Sequence, residues 1–259
     1  MNKKTKMWIG IIVAFVLLLG GFYLYYFYPQ IIPGFAGKNP GFEDDVNILL
    51  VGLDDRDSVQ KGEIEADSIM LATLKGNGKK IVIKAIPSDM KVENKKLKEY
   101  NVKNMPDKMK EITNVKPDYY VSMSYEGFQE IINQLGGINV TLEEQMRIPE
   151  LGLDLKKGEN ILAGQEALNY ARWYNSSDDE KDRMERHKKI IESLIDKVFQ
   201  KRTLLDFSKL YSTVVETYKS VETNMDQDLV ARIINYAKDR EDIEVVYNIL
   251  ENTTDSKEE

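Results

Sequence analysis

The chain has 259 residues, of which 42% are hydrophobic and 31% charged, an ordinary globular composition long enough for one large domain or two small ones. It contains no cysteine, which excludes a disulfide framework and a thiolate metal site. A formal net charge of -7 argues against nonspecific nucleic-acid binding, which needs basic patches to displace counterions, and favours membrane-bound, sugar-like or cation-bridged partners.

MNKKTK carries three lysines, and MWIGIIVAFVLLLGGFYLYYF, residues 7–27, follows without a charge. Roughly 20 residues cross a bilayer as a helix, whereas a signal-peptide core has only about 7 to 15. The prediction is a cytoplasmic basic stub at 1–6 and a transmembrane anchor at 7–27. Tyr23, Tyr25, Tyr26, Phe27 and Tyr28 would stand at the outer interface. This gives a single-pass protein of the cell membrane, its N-terminus cytoplasmic and its main domain extracellular. YPQIIPGFAGKNPGFEDD, residues 28–45, holds three prolines and three glycines and reads as a linker.

A domain over 46–250 is expected next. VNILLVGLDD reads as a buried strand with polar groups at its C-terminal edge. DSIMLATLK and KKIVIKAIPSD, separated by GNG, read as a hairpin. That hairpin brings Asp67 and Asp89 to one edge, and Asp54 joins them if VNILLVGLD lies parallel to the neighbour of the first hairpin strand. Residues 94–115 read as surface helix and loop. PDYYVSMSY is a further strand. SYEGFQEIINQLGG is a helix with Phe128, Ile131, Ile132 and Leu135 on one face and a Gly136-Gly137 stop. INVTLEE is a strand, and GLDLKKGENILAGQEALNYAR gives an extended piece, a turn and a helix leading into Arg172. RMERHKKIIESLIDKVFQKR is a helix with Ile190, Leu194, Ile195 and Phe199 inward. Helices near 206–220 and 226–238, a strand EVVYNIL and a disordered tail at 251–259 complete an α/β pattern.

ARWYNSSDDEKDRMERHKK, residues 171–189, sets Arg172, Arg183 and Arg186 around acidic and small polar residues. Arg183 and Arg186 are three apart on a predicted helix and share a face near its N-terminus. Backbone N–H groups there favour anions, while the macrodipole disfavours arginine. On a solvated helix they would instead pair with Asp178, Asp179, Glu180 or Asp182. Taken singly, Asp54, Asp67 and Asp89 are turn or cap residues. Converging at a sheet edge, they are a usual way to hold Mg²⁺, and facing arginines supply bidentate phosphate contacts. Together the two sets describe a diphosphate site better than either alone. His187, the sole histidine, lacks a metal-binding companion and reads as a helix-surface residue. Tyr119, Tyr120 and Phe128 read as packing, although a lipid groove would also be apolar. No G-x-S-x-G, Walker-type or H-E-x-x-H motif is present.

The order NILLVGLDDR, ADSIMLATL, IVIKAIPSD, DYYVSMSYEGFQEIINQLGGINV, GLDLKKGENILAGQEALNYAR and DRMERHKKII resembles the LytR-CpsA-Psr family over most of residues 46–240. The resemblance implies one α/β domain, a central mixed β-sheet flanked by helices around a polyprenyl-phosphate groove, preceded by one transmembrane helix. It implies a transferase moving a polyprenyl-diphosphate-linked glycopolymer, such as teichoic acid or capsule, onto peptidoglycan. A phosphodiester would form with help from Mg²⁺ or Mn²⁺. Asp54 and Asp67 would hold the cation; Arg172, Arg183 and Arg186 would contact the diphosphate. Asp89 or Asp54 would take the proton of the acceptor hydroxyl, so Asp89, Arg172 and Arg183 form the catalytic set.

The chain departs from the family where R-S-D-T becomes Glu65-Ala66-Asp67-Ser68 and I-P-R-D becomes Ile86-Pro87-Ser88-Asp89. Tyr174 replaces a basic residue, Glu180 an aspartate, and the segment between Asp89 and Asp118 is short and lacks K-I-N-x-A-Y. Two readings therefore stand. One is an active phosphotransferase; the other is a degenerate member that binds polyprenyl diphosphate or wall polymer as a scaffold or attenuator. Whether Lys84, Lys91 or Arg56 reaches the pocket separates them.

Overall fold

Alternating apolar residues in three neighbouring strands build the middle of the molecule. The computed structural model describes residues 42–54, 65–76, 80–173, 180–199, 221–226, 229–230, 232–233 and 243–250. The expected anchor, nearly all of the linker, the helix at 206–220, most of that at 226–238 and the tail lie outside them. No helix among the described residues is long and apolar enough to cross a membrane.

Strands β1 (Val46–Asp54), β2 (Glu65–Leu74) and β3 (Lys80–Ile86) run antiparallel in sequence order. A small hairpin, β4 (Lys91–Val92) and β5 (Lys95–Lys96), leads to helix α1 (Met105–Thr113). Next come β6 (Tyr119–Ser124), α2 (Tyr125–Gln134), β7 (Ile138–Leu142), β8 (Met146–Ile148), β9 (Leu153–Leu155) and β10 (Gly158–Leu162). Helices α3 (Gly164–Arg172) and α4 (Glu180–Phe199) precede β11 (Val221–Thr223) and β12 (Glu244–Ile249). Among the described residues the central sheet has six strands in the order β11-β6-β1-β2-β3-β12. It is mixed, because β6 joins β1 and β12 joins β3 in parallel.

The two faces of the sheet carry different layers. Leu49, Val51, Ala66, Ile69, Leu71 and Ile86 face Leu97, Met105 and Met109. The last three are fully buried, so the segment expected to be surface helix and loop contributes to the core. On the other face Met70, Ala72, Ile83 and Ala85 meet Met184 of α4. A further layer forms where α2, α3 and α4 close over β7 and β10, around Ile132, Ile138, Leu162, Tyr170 and Ile190. Helices α2 and α3 approach so closely that a Cβ on Gly164 would lie 2.3 Å from the carbonyl oxygen of Gln129. Only glycine permits that approach, and the start of α3 is pinned when Gly164 N–H donates to Asn133 Oδ1 at 2.8 Å.

The folded unit begins before Val46. Phe42, placed by the sequence in the linker, is buried with Val46, Ile48, Leu74 and Leu229, under the guanidinium of Arg232. Asp45 accepts from Gly76 N–H and pairs with Lys75 at 2.6 Å, so the stretch from Phe42 to Asp45, though exposed at 43–45, is tied to the folded unit at both ends.

Candidate functional site

A break in strand register decides where Asp67 points. Gly52 pairs with Ser68, but Leu53 pairs with Ala66, so Asp67 is an extra residue in β2. Ala66 and Ile69 both pack in the α1-side cluster, and the two residues between them line a cavity on the opposite face. Strict alternation back from Ile69 would have turned Asp67 into the apolar cluster. One inserted residue turns it out.

Both carboxylate oxygens of Asp67 are engaged. Arg183 Nη1 of α4 donates to Oδ1 at 2.7 Å, and the Tyr125 hydroxyl of α2 donates to Oδ2 at 3.0 Å. Arg183 Nη2 also donates to Ser88 Oγ at 3.4 Å, joining the turn after β3. The side chains of Arg183 and Asp67 are 14% and 22% exposed. Arg183 thus reaches across to the sheet from a largely buried position, unlike an arginine on a solvated helix surface.

The cavity beside this network has a volume of about 190 Å³ and lies under α2, α3 and α4. Leu50, Met70, Phe128, Leu168, Ile191 and Leu194 make most of it apolar; Asp67, Ser68, Ser124, Tyr125, Arg172 and His187 are its polar lining. Phe128 therefore lines this space, while Tyr119 and Tyr120 pack against the two sheet clusters.

Arg172 ends α3 and is held from both sides. His187 Nε2 donates to the carbonyl of Ala171 at 3.2 Å, and Arg186 Nη2 donates to that of Trp173. Helix C-termini leave such carbonyls unsatisfied, and a cation near them is electrostatically favoured. Arg186 also lies over the Trp173 ring, 5.1 Å from its centroid, and is buried. The structure thus gives Arg186 a place other than the expected diphosphate contact: it braces the residue following Arg172. Arg172 itself is half-buried, lines the cavity, and makes no hydrogen bond or ion pair among the described residues.

The surface position expected for His187 is overturned. The side chain is 8% exposed because α4 is sandwiched between α3 and the sheet. Burial first, and the nearby Arg183 charge second, push its pKa down to about 4. The ring is neutral at pH 7, with its proton on Nε2, since a carbonyl can only accept. An unfolded chain protonates this imidazole near pH 6.5, whereas the folded one waits until about pH 4. Its contribution to stability is therefore complete above pH 6.5 and declines as pH falls from 6.5 towards 4, by about 3 kcal/mol in all. Urea titrations of the His187→Gln variant across that window are expected to show a correspondingly shallower pH dependence.

Asp54 and Asp89 are placed differently from each other. Alternation sets Asp54, half-buried at the end of β1, on the sheet face shared by Leu50 and Gly52, the face of the cavity. Asp89 is exposed in the turn closed by Met90 N–H to the Pro87 carbonyl. It has no hydrogen-bond partner among the described residues, and its neighbour Ser88, not Asp89, meets Arg183. No cluster of three or more His, Asp or Glu able to hold a metal occurs among the described residues. Asp54 and Asp67 alone do not make a resident metal site, but Mg²⁺ takes one or two carboxylates and completes its shell with water and substrate phosphate oxygens. That limited donor set fits a substrate-borne cation.

Neither Lys84 nor Lys91 fills the place of the missing arginines. Lys84 lies on the sheet face opposite Ile83 and Ala85, Lys91 is exposed, neither lines the cavity, and Arg56 is outside the described residues. The cation beside Glu65 is Lys98, at 2.6 Å. No pattern in the sequence singled it out.

The LytR_cpsA_psr family model matches residues 36–256. The chain is 23% identical over 189 residues to the polyisoprenyl-teichoic acid–peptidoglycan teichoic acid transferase TagU of Enterococcus faecalis, covering 69% of this chain and 62% of that one. It is 30% identical over 199 residues to the enzyme of the same description, TagV, of Bacillus subtilis, covering 69% and 49%. The chain thus spans less than two thirds of the length of either relative. The crystal structure of protein gbs0355 from Streptococcus agalactiae has the same fold, with a TM-score of 0.66 and 19% identity over 80% of this chain and 77% of that one.

Proposed function

The chain belongs to the LytR_cpsA_psr family, and from that premise we propose that it is a phosphotransferase moving a polyprenyl-diphosphate-linked glycopolymer onto peptidoglycan. The observation that carries this reading is an apolar cavity whose polar lining includes Arg172, half-buried with no carboxylate partner among the described residues. A guanidinium so placed is complementary to a phosphate carried on an apolar chain. The relatives TagU and TagV, named as polyisoprenyl-teichoic acid transferases, support the same substrate class.

In this reading the polyprenyl chain enters the cavity and Arg172 grips the diphosphate. An acceptor hydroxyl attacks the phosphorus that carries the glycopolymer; the bond between the two phosphates breaks, and polyprenyl monophosphate leaves. The hydroxyl proton passes to Asp54 or Asp89. Arg183, oriented by Asp67 and Ser88, faces the negative charge that grows during transfer. Asp54 and Asp67 would hold Mg²⁺, which supplies neutralisation of phosphoryl oxygens. The anchor at 7–27 would keep the domain outside the cell beside lipid-borne substrate.

The test is transfer of radiolabelled polymer from a polyprenyl diphosphate to peptidoglycan by the full chain in nanodiscs. Label in peptidoglycan with release of polyprenyl monophosphate supports the reading. Tight binding of the lipid diphosphate with no product moves the chain to the scaffold or attenuator role. Absence of both overturns the assignment.

A further inference from the structure

Asp67 owes the direction of its carboxylate to two helices rather than to its own strand. As the inserted residue of β2 it has no partner in the ladder. The last torsion of an aspartate is also a broad, roughly two-fold rotation. Held only by Arg183 at Oδ1, the carboxylate would be able to swivel about that contact. The Tyr125 hydroxyl, donating to Oδ2 at 3.0 Å, supplies a second point and stops the swivel.

Strand register explains why Tyr125 reaches it. Ser124, the last residue of β6, stands level with Leu53 of β1, and Leu53 stands level with Ala66 of β2. The chain turns into α2 at that level, where the Ser124 hydroxyl caps the helix by accepting from Gly127 N–H at 3.2 Å. Tyr125 therefore begins one residue from the row that leads across β1 to the bulge. Strands β6 and β2 are two spacings apart, about 10 Å. A serine or threonine hydroxyl is too short to cross that gap, and a lysine would bring a second full charge on a flexible stem to a carboxylate already paired with Arg183. Tyrosine combines reach, neutrality and only two side-chain torsions.

The ring and the hydroxyl of Tyr125 have separable roles. The side chain is buried and lines the cavity with Phe128, and a phenylalanine would fill that wall equally well. The hydroxyl adds only its bond to Asp67, and that bond is passed on. Arg183 Nη1 rests on the fixed carboxylate and Nη2 on Ser88 Oγ, so the plane of the guanidinium is set by a chain running from α2 through Asp67 to the turn after β3. The Arg183 side chain is largely buried, where the orientation of a charge matters more than in water.

We infer that Tyr125 is a positioning residue for transfer: acting through Asp67, its hydroxyl fixes the angle at which Arg183 meets the phosphoryl group. This rests on the proposed function, in which Arg172 grips the diphosphate and Arg183 faces the charge that grows during transfer. Loss of the hydroxyl is therefore felt in turnover and not in binding, because the grip of Arg172 does not pass through Asp67.

Tyr125→Phe is compared with the parent, both as the full chain, in three measurements: transfer kinetics in nanodiscs, affinity for geranylgeranyl diphosphate, and arginine-selective NMR in detergent with the Arg183 signal assigned from Arg183→Lys. In Tyr125→Phe, kcat is expected to fall about ten- to a hundredfold, as for a misplaced catalytic group. KM and geranylgeranyl diphosphate affinity should stay as in the parent, and rotation of the Arg183 guanidinium about its Nε–Cζ bond should quicken. An unchanged kcat would overturn the inference. So would a fall in kcat matched by an equal loss of diphosphate affinity, which marks a damaged cavity wall, or a fall with Arg183 rotation as slow as in the parent. A parent chain without transfer would remove the proposed function, and NMR then decides the positioning by itself: faster Arg183 rotation in Tyr125→Phe sustains it, and unchanged rotation overturns it.

Discussion

Asp67→Asn is expected to lower transfer by about a hundredfold or more and to destabilise the fold by about 2 to 4 kcal/mol. The two effects share one cause. Asp67 is the carboxylate that meets Arg183, and both side chains are mostly removed from water. An amide keeps the shape and the bond from Tyr125, but leaves the guanidinium without this counter-charge in a poorly solvated place. Breaking such a pair by removing one partner costs more than the pair contributes, because the remaining charge still has to be desolvated. Urea unfolding reads the stability, and the nanodisc assay reads transfer. Adding Arg183→Met to Asp67→Asn should recover part of the lost stability and none of the lost transfer. A double variant as unstable as the sum of the singles would mean that the two side chains are not coupled.

Arg172→Ala separates function from stability more sharply. Because Arg172 makes no hydrogen bond or ion pair among the described residues, its removal is expected to change unfolding free energy by less than about 1 kcal/mol. Affinity for geranylgeranyl diphosphate should fall at least tenfold and transfer by about two orders of magnitude. Arg172→Lys should recover binding only in part, since a point charge replaces a planar two-pronged donor. Full activity in the alanine variant would remove Arg172 from the site.

Much of this arrangement could be read from residue periodicity. The apolar run VNILLVGLDD and the GNG turn placed β1, β2 and β3, and the 3.6-residue spacing of Phe128, Ile132 and Leu135 placed α2. Strand direction alone led to the expectation that Asp67 and Asp89 share one edge; the structure instead puts Ser88 beside Arg183 and leaves Asp89 exposed in its turn. The bulge did not, because an inserted residue inside ADSIMLATL looks like ordinary alternation until its partner strand is known. His187 was misplaced for a related reason. Its helix is charged at almost every turn, and only packing between α3 and the sheet reveals that the 187 position faces inward. The 91–104 segment was opaque because its strands are two residues long and its buried residues, Val92, Leu97 and Val102, follow no single period.

The parallel seam between β3 and β12 links residues 164 positions apart, Lys80 with Glu244. Such a seam cannot form by local zippering; it waits for the late strand to be synthesised and to find its place. β12 does more than complete the sheet, since the Tyr247 hydroxyl donates to the carbonyl of Met184, the residue after Arg183. The helix that carries Arg183 is thereby fastened by a strand that follows it by more than forty residues. A nascent chain that has not yet extended through β12 would lack that fastening, which ties the maturation of the site to the arrival of this distant strand.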